Sequence, residues 1–449
     1  MPSVQQSTRR RSSATPSTKS SLKSKVALES SSVERPPLDV CAEINHRIRS
    51  NETLRAPRFD FAHHVRHRSY VFRLMDFGEE ECSTFLDAGV DALLPDRSRM
   101  ASSSNPLKPN FDIRESKGKG LGMFARRELY DGEVILQEHP VVVSPYLIGL
   151  SMPLADIYAD LFKRLSRPAY SELMALSKSS CPSLKDASVY ESIMRANALG
   201  VALNVPNVDH AELAIHRGIF LKTSRCNHSC GPNAKWDWDM NTFSLTLTAV
   251  RTIAKGQEIT IPYIAPDLPG AARRASIQQQ YGFECQCYHC TYKLEEDFNH
   301  SDMARESLRR AWSSDCKLPS FEKWCTEPAY PDDLLINAYK RSLHLIEAEG
   351  LEVLDLGPGE HPERDVGRYK DALAMCYGAL EDTENFRIWI ARVRDGRMTK
   401  KPTQSLAFNK WLSNPSSFPV WGWRRAVCGG GDANGIHGLS AIEKMLDCI

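Results

Sequence analysis

Nowhere does the sequence string together the ~18 apolar residues that a membrane-spanning helix requires. Its first residues also lack the apolar segment of a secretory signal. Charge of one sign is missing in bulk: 57 Lys and Arg stand against 56 Asp and Glu. No global basic field therefore argues for nucleic acid, and any polyanion contact must come from a local patch, such as the basic N-terminal tail. The apolar fraction of 42 % and charged fraction of 25 % are those of an ordinary soluble globular protein. A length of 449 residues exceeds what one core usually serves, so two or three domains are expected. What stands out is the cysteines, which number 13 and crowd at Cys285, Cys287 and Cys290. Without a secretory signal, that crowding points to metal thiolates in a reducing intracellular setting rather than to disulfides.

Residues 1–58 read as a disordered basic, Ser-rich tail, with Arg9, Arg10, Arg11, Lys19, Lys23 and Lys25 and almost nothing apolar. A solvated tail, a nuclear signal around Arg9–Arg11 and an organelle transit peptide are the readings its composition allows. Residues 59–109 form a lead-in and linker. There Phe59, Phe61, Tyr70, Val71, Phe72, Leu74 and Phe77 can pack as a strand and helix, before a Ser/Asn/Pro stretch at 102–109. His63, His64 and His67 have metal-like helical spacing, but lack an acidic or thiol partner nearby and count as surface or packing residues.

From Phe111 the texture is of short strands broken by turns such as Asp131-Gly132. Phe243 to Thr248 alternates with period two, as does Glu258 to Ile261. Between about 150 and 200 the spacing turns helical, with Leu154, Ile157, Leu161, Phe162 and Leu165 on one face. The fold class is therefore α+β: a strand-rich domain over 110–268 with a helical insert, a cysteine-bearing segment over 269–292, and a helical C-terminal domain over 293–400. In that domain helices are expected from Asp332 and Asp333 to Glu349, from about Pro362 to Leu380, and from about Thr383 to Arg394. A loose likeness to tetratricopeptide pairs has no 34-residue period behind it. Residues 401–449, with Pro, Trp and Gly429 to Gly431, read as a poorly ordered tail.

Four motifs carry chemistry, in a fixed order. Lys117-Gly118-Lys119-Gly120-Leu121-Gly122 offers a turn whose glycines let backbone approach a ligand closely; by itself it reads as a hairpin turn. Arg225-Cys226-Asn227-His228-Ser229-Cys230-Gly231-Pro232-Asn233 is rich in directional polar and soft side chains. Gly256-Gln257-Glu258-Ile259-Thr260-Ile261-Pro262-Tyr263 is a turn and strand ending on a tyrosine. Finally, Cys285, Cys287 and Cys290 share a C-x-C-x2-C spacing that brings three thiolates to one point, and tetrahedral zinc needs a fourth ligand. Cys230 is the first candidate, with Cys226 and His289 behind it.

This ordered set resembles the SET-domain protein lysine methyltransferases, most closely the SMYD branch and its fungal relatives. The resemblance makes 110–268 a SET domain, 269–292 its post-SET zinc segment, and the function S-adenosylmethionine-dependent methyl transfer to a lysine of a protein substrate, histone or non-histone. It implies that Lys117, Lys119, Gly120, Leu121, Asn197, Asn227, His228 and Phe283 hold S-adenosyl-L-methionine. It also implies that Tyr263 and Tyr281 line the reacting lysine, and that Cys230, Cys285, Cys287 and Cys290 hold a structural Zn2+. A nuclear or cytoplasmic location and no membrane partner go with it. Three departures matter. The MYND zinc module is absent, since 145–222 hold only Cys181; Gly231 replaces the usual Asp; and Pro262, without an N–H, precedes Tyr263. These keep a second reading in view, a catalytically weak SET-fold zinc protein acting as an adaptor. Methyl transfer to a small molecule stands third.

Overall fold

The computed structural model describes residues 69–94, 109–145, 153–181, 187–204, 215–311, 318–354, 366–398 and 405–428. The basic tail, the three clustered histidines near residue 65 and Gly429 to Gly431 lie outside them. Among the described residues no helix is long and apolar enough to cross a membrane.

Two short strands open the described chain, β1 (Tyr70–Asp76) and β2 (Glu81–Asp87). They belong to a five-stranded sheet of order β1-β2-β6-β8-β7, with β6 (Val142–Pro145), β7 (Leu199–Ala202) and β8 (Ile215–Ile219). The lead-in is thus part of the body: β2 pairs parallel with β6, and Tyr70 and Phe72 close on Phe85. Leu86 and Phe85 are buried because both faces of this sheet are covered. One cover is the helical insert, three helices at Leu154–Lys163, Arg167–Met174 and Val189–Asn197. Ile157, Tyr158, Leu161 and Phe162 form the buried stripe of the first, packed with Phe85, Val142 and Ile219.

A three-stranded sheet of order β10-β11-β5 joins Ala234–Asp239, Ser244–Ala249 and Val134–Glu138. Along β11 the buried Leu245, Leu247 and Ala249 alternate with Thr246 and Thr248, as a half-covered strand demands. The third sheet, β3-β4-β12-β9, carries the motifs. Here β3 (Phe111–Ser116) and β4 (Gly120–Ala125) form a hairpin whose turn needs the left-handed backbone of Gly118 and Gly120. β12 (Glu258–Ile261) lies antiparallel to β4 and parallel to the two-residue β9, Asn227–His228.

Beyond the helix Gly270–Tyr281 and the cysteine-bearing loop, the chain is helical: Glu295–Ala311, Phe321–Thr326, Leu334–Glu349, Val366–Ala379 and Thr383–Met398. Leu335, Leu343 and Ile346 are buried, and Gly350 ends its helix in the left-handed conformation. Asp333 occupies the N-cap without capping; its carboxylate accepts from the Asn337 side chain at 2.8 Å instead.

The expectation of a poorly ordered tail from residue 401 needs correction. Residues Ser405–Ser413 and Trp423–Cys428 are helices, and Phe408, Trp411, Phe418 and Val420 enter the C-terminal core. The Arg424 guanidinium lies over the Trp324 ring and donates to Asp332 and to the carbonyls of Trp324 and Tyr330. Helices of 9 and 6 residues are too short to print a period, so aromatic anchoring replaced patterning as the ordering force.

Candidate active site and metal centre

The site begins at Glu258. Its carboxylate accepts from Asn227 Nδ2 at 2.8 Å and from Lys119 Nζ at 3.1 Å. Burial raises its pKa, but hydrogen bonds from Asn227, Ser116 and Lys119 outweigh that and leave it below the ordinary value. One carboxylate thereby ties the hairpin to the Asn-His strand. Asn227 Nδ2 also donates to the Leu121 carbonyl at 3.2 Å. A Cβ on Gly122 would stand 2.6 Å from Glu258 Oε1 and 3.0 Å from Asn227 Nδ2, so a side chain here would push on the bond between them. Lys117 stays exposed at the turn, and the Leu121 side chain is 44 % exposed.

His228 is buried and packs its ring 5.4 Å from that of Tyr263, which in turn lies 5.0 Å from Tyr281; Phe283 follows at 6.3 Å. Tyr263 is half-buried as a residue but turns its hydroxyl inward, donating to the Cys226 carbonyl at 2.7 Å. Burial pushes that hydroxyl's pKa up, so it stays protonated. Tyr281 donates to the Tyr263 carbonyl at 3.2 Å. Pro262 does not break the end of the strand: Ser229 N–H reaches Ile261 O at 3.2 Å, and Tyr263 N–H reaches His228 Nδ1 at 3.1 Å.

Asn197 takes a more remote position. Its side-chain amide donates to the carbonyls of Ser177 and Ile193, and its main-chain carbonyl accepts from the Ser224 hydroxyl in the turn before Cys226. That turn is held by Glu138, a buried carboxylate accepting the N–H groups of Lys222 at 3.1 Å and Thr223 at 2.7 Å. Burial raises Glu138 to about 7. Neither Glu138 nor Glu258 had been singled out from the sequence, although an acid inside an apolar strand was a visible signal in both cases.

Cys230, Cys285, Cys287 and Cys290 are buried, with all four sulfurs within 4.8 Å of one another. A zinc tetrahedron with ~2.3 Å bonds spaces its sulfurs ~3.8 Å apart, so the donor set fits. Hydrogen bonds from its sulfur neighbours, Cys230 first, push the Cys287 thiol far down, while those from Cys285, Cys287 and Cys290 push the Cys230 thiol up. The two other fourth-ligand candidates fall away. Cys226 lies against Met123, and His289 turns Nδ1 to Tyr292 at 2.8 Å and towards Glu349 at 3.5 Å.

A polar network outside the motifs grips this centre. Arg305, wholly buried, donates to Glu349 and to the carbonyls of Pro266, Cys230 and Glu349. Arg251 donates to the Gly231 carbonyl at 2.7 Å and to Glu352 at 2.8 Å. Gly231 has no room for a side chain: a Cβ would meet His289 Nε2 at 2.3 Å and the Glu349 carbonyl at 3.0 Å.

Residues 120–264 match the family model of the SET domain. About a third of the chain thus matches the SET domain. Its relatives are of the SMYD-like kind: the protein-lysine N-trimethyltransferase SMYD5 of Danio rerio is 37 % identical over 92 residues, 20 % of this chain and 21 % of that protein. The histone-lysine N-methyltransferase SMYD3 of Mus musculus is 35 % identical over 160 residues, 34 % of this chain and 35 % of that one. The histone-lysine N-methyltransferase set5 of Schizosaccharomyces pombe is 35 % identical over 91 residues, 20 % of this chain and 28 % of that protein. The matches therefore span well under two thirds of these relatives.

Proposed function

We propose that this protein is a protein-lysine N-methyltransferase that uses S-adenosyl-L-methionine and carries one structural zinc. The observation that carries the reading is the run of contacts from the glycine hairpin through Asn227 and His228 to Tyr263, Tyr281 and Phe283, inside a segment matching the SET domain. Leu121 and Phe283, left 44 % and 37 % exposed, supply apolar surface at either end of that run, and the Leu121 carbonyl meets the Asn227 amide. Such a combination suits a ligand with an adenine ring and a charged amino-acid end. Lys117, Lys119, Gly120, Leu121, Asn197, Asn227, His228 and Phe283 would hold it.

The bound cofactor would supply an electrophilic sulfonium methyl. The chain's own task is then to hold a neutral lysine amine in line with it and keep water out. Tyr263, with its proton committed to the Cys226 carbonyl, offers a fixed hydroxyl oxygen; Tyr281 fixes the main chain of Tyr263 from the other side. No buried carboxylate is needed as a strong base, because the amine loses its proton before transfer. Cys230, Cys285, Cys287 and Cys290 would hold a closed zinc whose role is to fasten the post-SET loop to the Asn-His-Ser-Cys turn. Clustered reduced thiols fit a nuclear or cytoplasmic setting.

Calorimetric titration of S-adenosyl-L-methionine into the full chain, with zinc measured on the same sample, tests this. Micromolar-range binding and transfer of labelled methyl to lysine in a protein mixture are expected. A folded, zinc-loaded protein that binds no cofactor would overturn the enzyme reading and leave the adaptor.

A further inference from the structure

Besides the part His228 would take in holding the cofactor, its imidazole touches both halves of the site. It is 4 % exposed, with Nδ1 3.1 Å from the Tyr263 backbone nitrogen and Nε2 3.3 Å from Cys230 Sγ. A backbone N–H can only donate, so Nδ1 accepts and carries no proton. The ring's remaining proton must then sit on Nε2, directed at the sulfur. Two neighbours sharpen the point. Cys230 N–H reaches Cys287 Sγ at 3.4 Å, so the cluster already takes N–H donors on its sulfurs. Pro262 has no N–H, so the Tyr263 N–H is the first main-chain donor after Ile261, and it goes to His228.

We propose that His228 is a positioning residue coupling the thiolate centre to the active-site tyrosine: Nε2–H donates to the Cys230 sulfur while Nδ1 accepts from the Tyr263 main chain. The proposal rests on reading the four cysteines as a zinc site and extends it. One N–H···S bond orients the sulfur and draws off charge from a site of four thiolates, the usual work of a group hydrogen-bonded to a metal ligand. The other bond fixes where Tyr263 begins, at the point where proline has removed an anchor. Metal binding and tyrosine placement thus share one ring.

Two near-isosteric variants separate the bonds. His228→Asn keeps an acceptor near Nδ1 and loses the Nε2 donor; His228→Gln reaches the Nε2 position with an amide N–H and loses Nδ1. In the zinc-loaded full chain, His228→Asn should release zinc to a chromogenic chelator about tenfold faster than wild type, whereas His228→Gln should stay near the wild-type rate. Amide exchange at Tyr263 should accelerate in His228→Gln and not in His228→Asn. Nitrogen spectra of histidine-labelled wild type should show the Nε2–H tautomer, a readout that survives if a variant fails to fold. Equal zinc release from both variants, or an Nδ1–H tautomer, defeats the coupling while leaving the zinc site standing. Wild type purified without zinc defeats the zinc reading first and the coupling with it.

Discussion

The Arg305 guanidinium donates to the main-chain carbonyl of Cys230 at 3.3 Å, across 75 residues of sequence. It also meets the Glu349 carboxylate at 3.0 Å, and Ser301 donates to the same oxygen at 2.6 Å. The helix Glu295–Ala311 and the end of Leu334–Glu349 therefore hold a candidate zinc ligand by its backbone. Arg305→Met should leave Glu349 buried without its charge partner and cost about 3–5 kcal/mol, read from the denaturant midpoint. A loss under about 1 kcal/mol would show that water replaces the guanidinium there.

Gly231→Ala should be destabilising despite being a small change. The new methyl would stand 2.3 Å from His289 Nε2, and the His289 ring is held by Tyr292, so neither side yields cheaply. Overpacking of this kind costs about 1–3 kcal/mol. Thermal unfolding with zinc present is the measurement, and an unchanged midpoint would mean that His289 moves aside freely.

Stability should depend on pH through Glu138. Its pKa rises from 4.5 unfolded to about 7 folded, chiefly by burial. A raised pKa means that the folded state holds its proton more tightly. The contribution is complete below pH 4.5 and is lost as pH climbs through about 7. Glu138→Gln should cost stability throughout, because the Lys222 and Thr223 N–H groups meet two different carboxyl oxygens, and an amide nitrogen in place of one of them cannot accept. It should, however, flatten the decline between pH 5 and 8. Denaturant midpoints across that range, wild type against variant, check the slope; parallel curves would count against the assignment.

Tyr263→Phe removes the hydroxyl that is fixed by the Cys226 carbonyl. If Tyr263 orients the amine, methyl transfer should fall on the order of 10²-fold. Cofactor affinity measured by calorimetry should change little. A fall in affinity matching the fall in rate would make the tyrosine a wall of the cofactor site instead.

Much of this architecture was legible in the residues themselves. Leu245, Leu247 and Ala249 alternate visibly with threonines, and Leu154 to Leu165 show a helical stripe, because one covered face imposes a period. Cys285, Cys287 and Cys290 suggest a metal site in the sequence because three candidate ligands lie within one turn of chain. The fourth ligand was a choice among Cys230, Cys226 and His289. It took tertiary geometry to bring Cys230, 55 residues before Cys285, to the cluster and to turn His289 towards Glu349. Arg305 and Glu349 were illegible for the same reason: each looks like an ordinary helix charge until the fold excludes water around it. Residues 405–428 misled because buried tryptophans and phenylalanines in short helices leave no period to read.

Gly231 has one more consequence, for the order of assembly. It has no side chain of its own, and its surroundings are completed by His289, Arg251 and the end of the helix Leu334–Glu349. As the chain leaves the ribosome, the Asn-His-Ser-Cys turn emerges well before the segments that enclose it. Loop closure over such separations is slow compared with forming the local hairpins. The SET strands can pair early, but the turn stays unclosed until the C-terminal helices arrive. A purified fragment ending near residue 300, which holds all four cysteines but lacks the segment that encloses Gly231, should therefore bind zinc more weakly than one that reaches past Gly350.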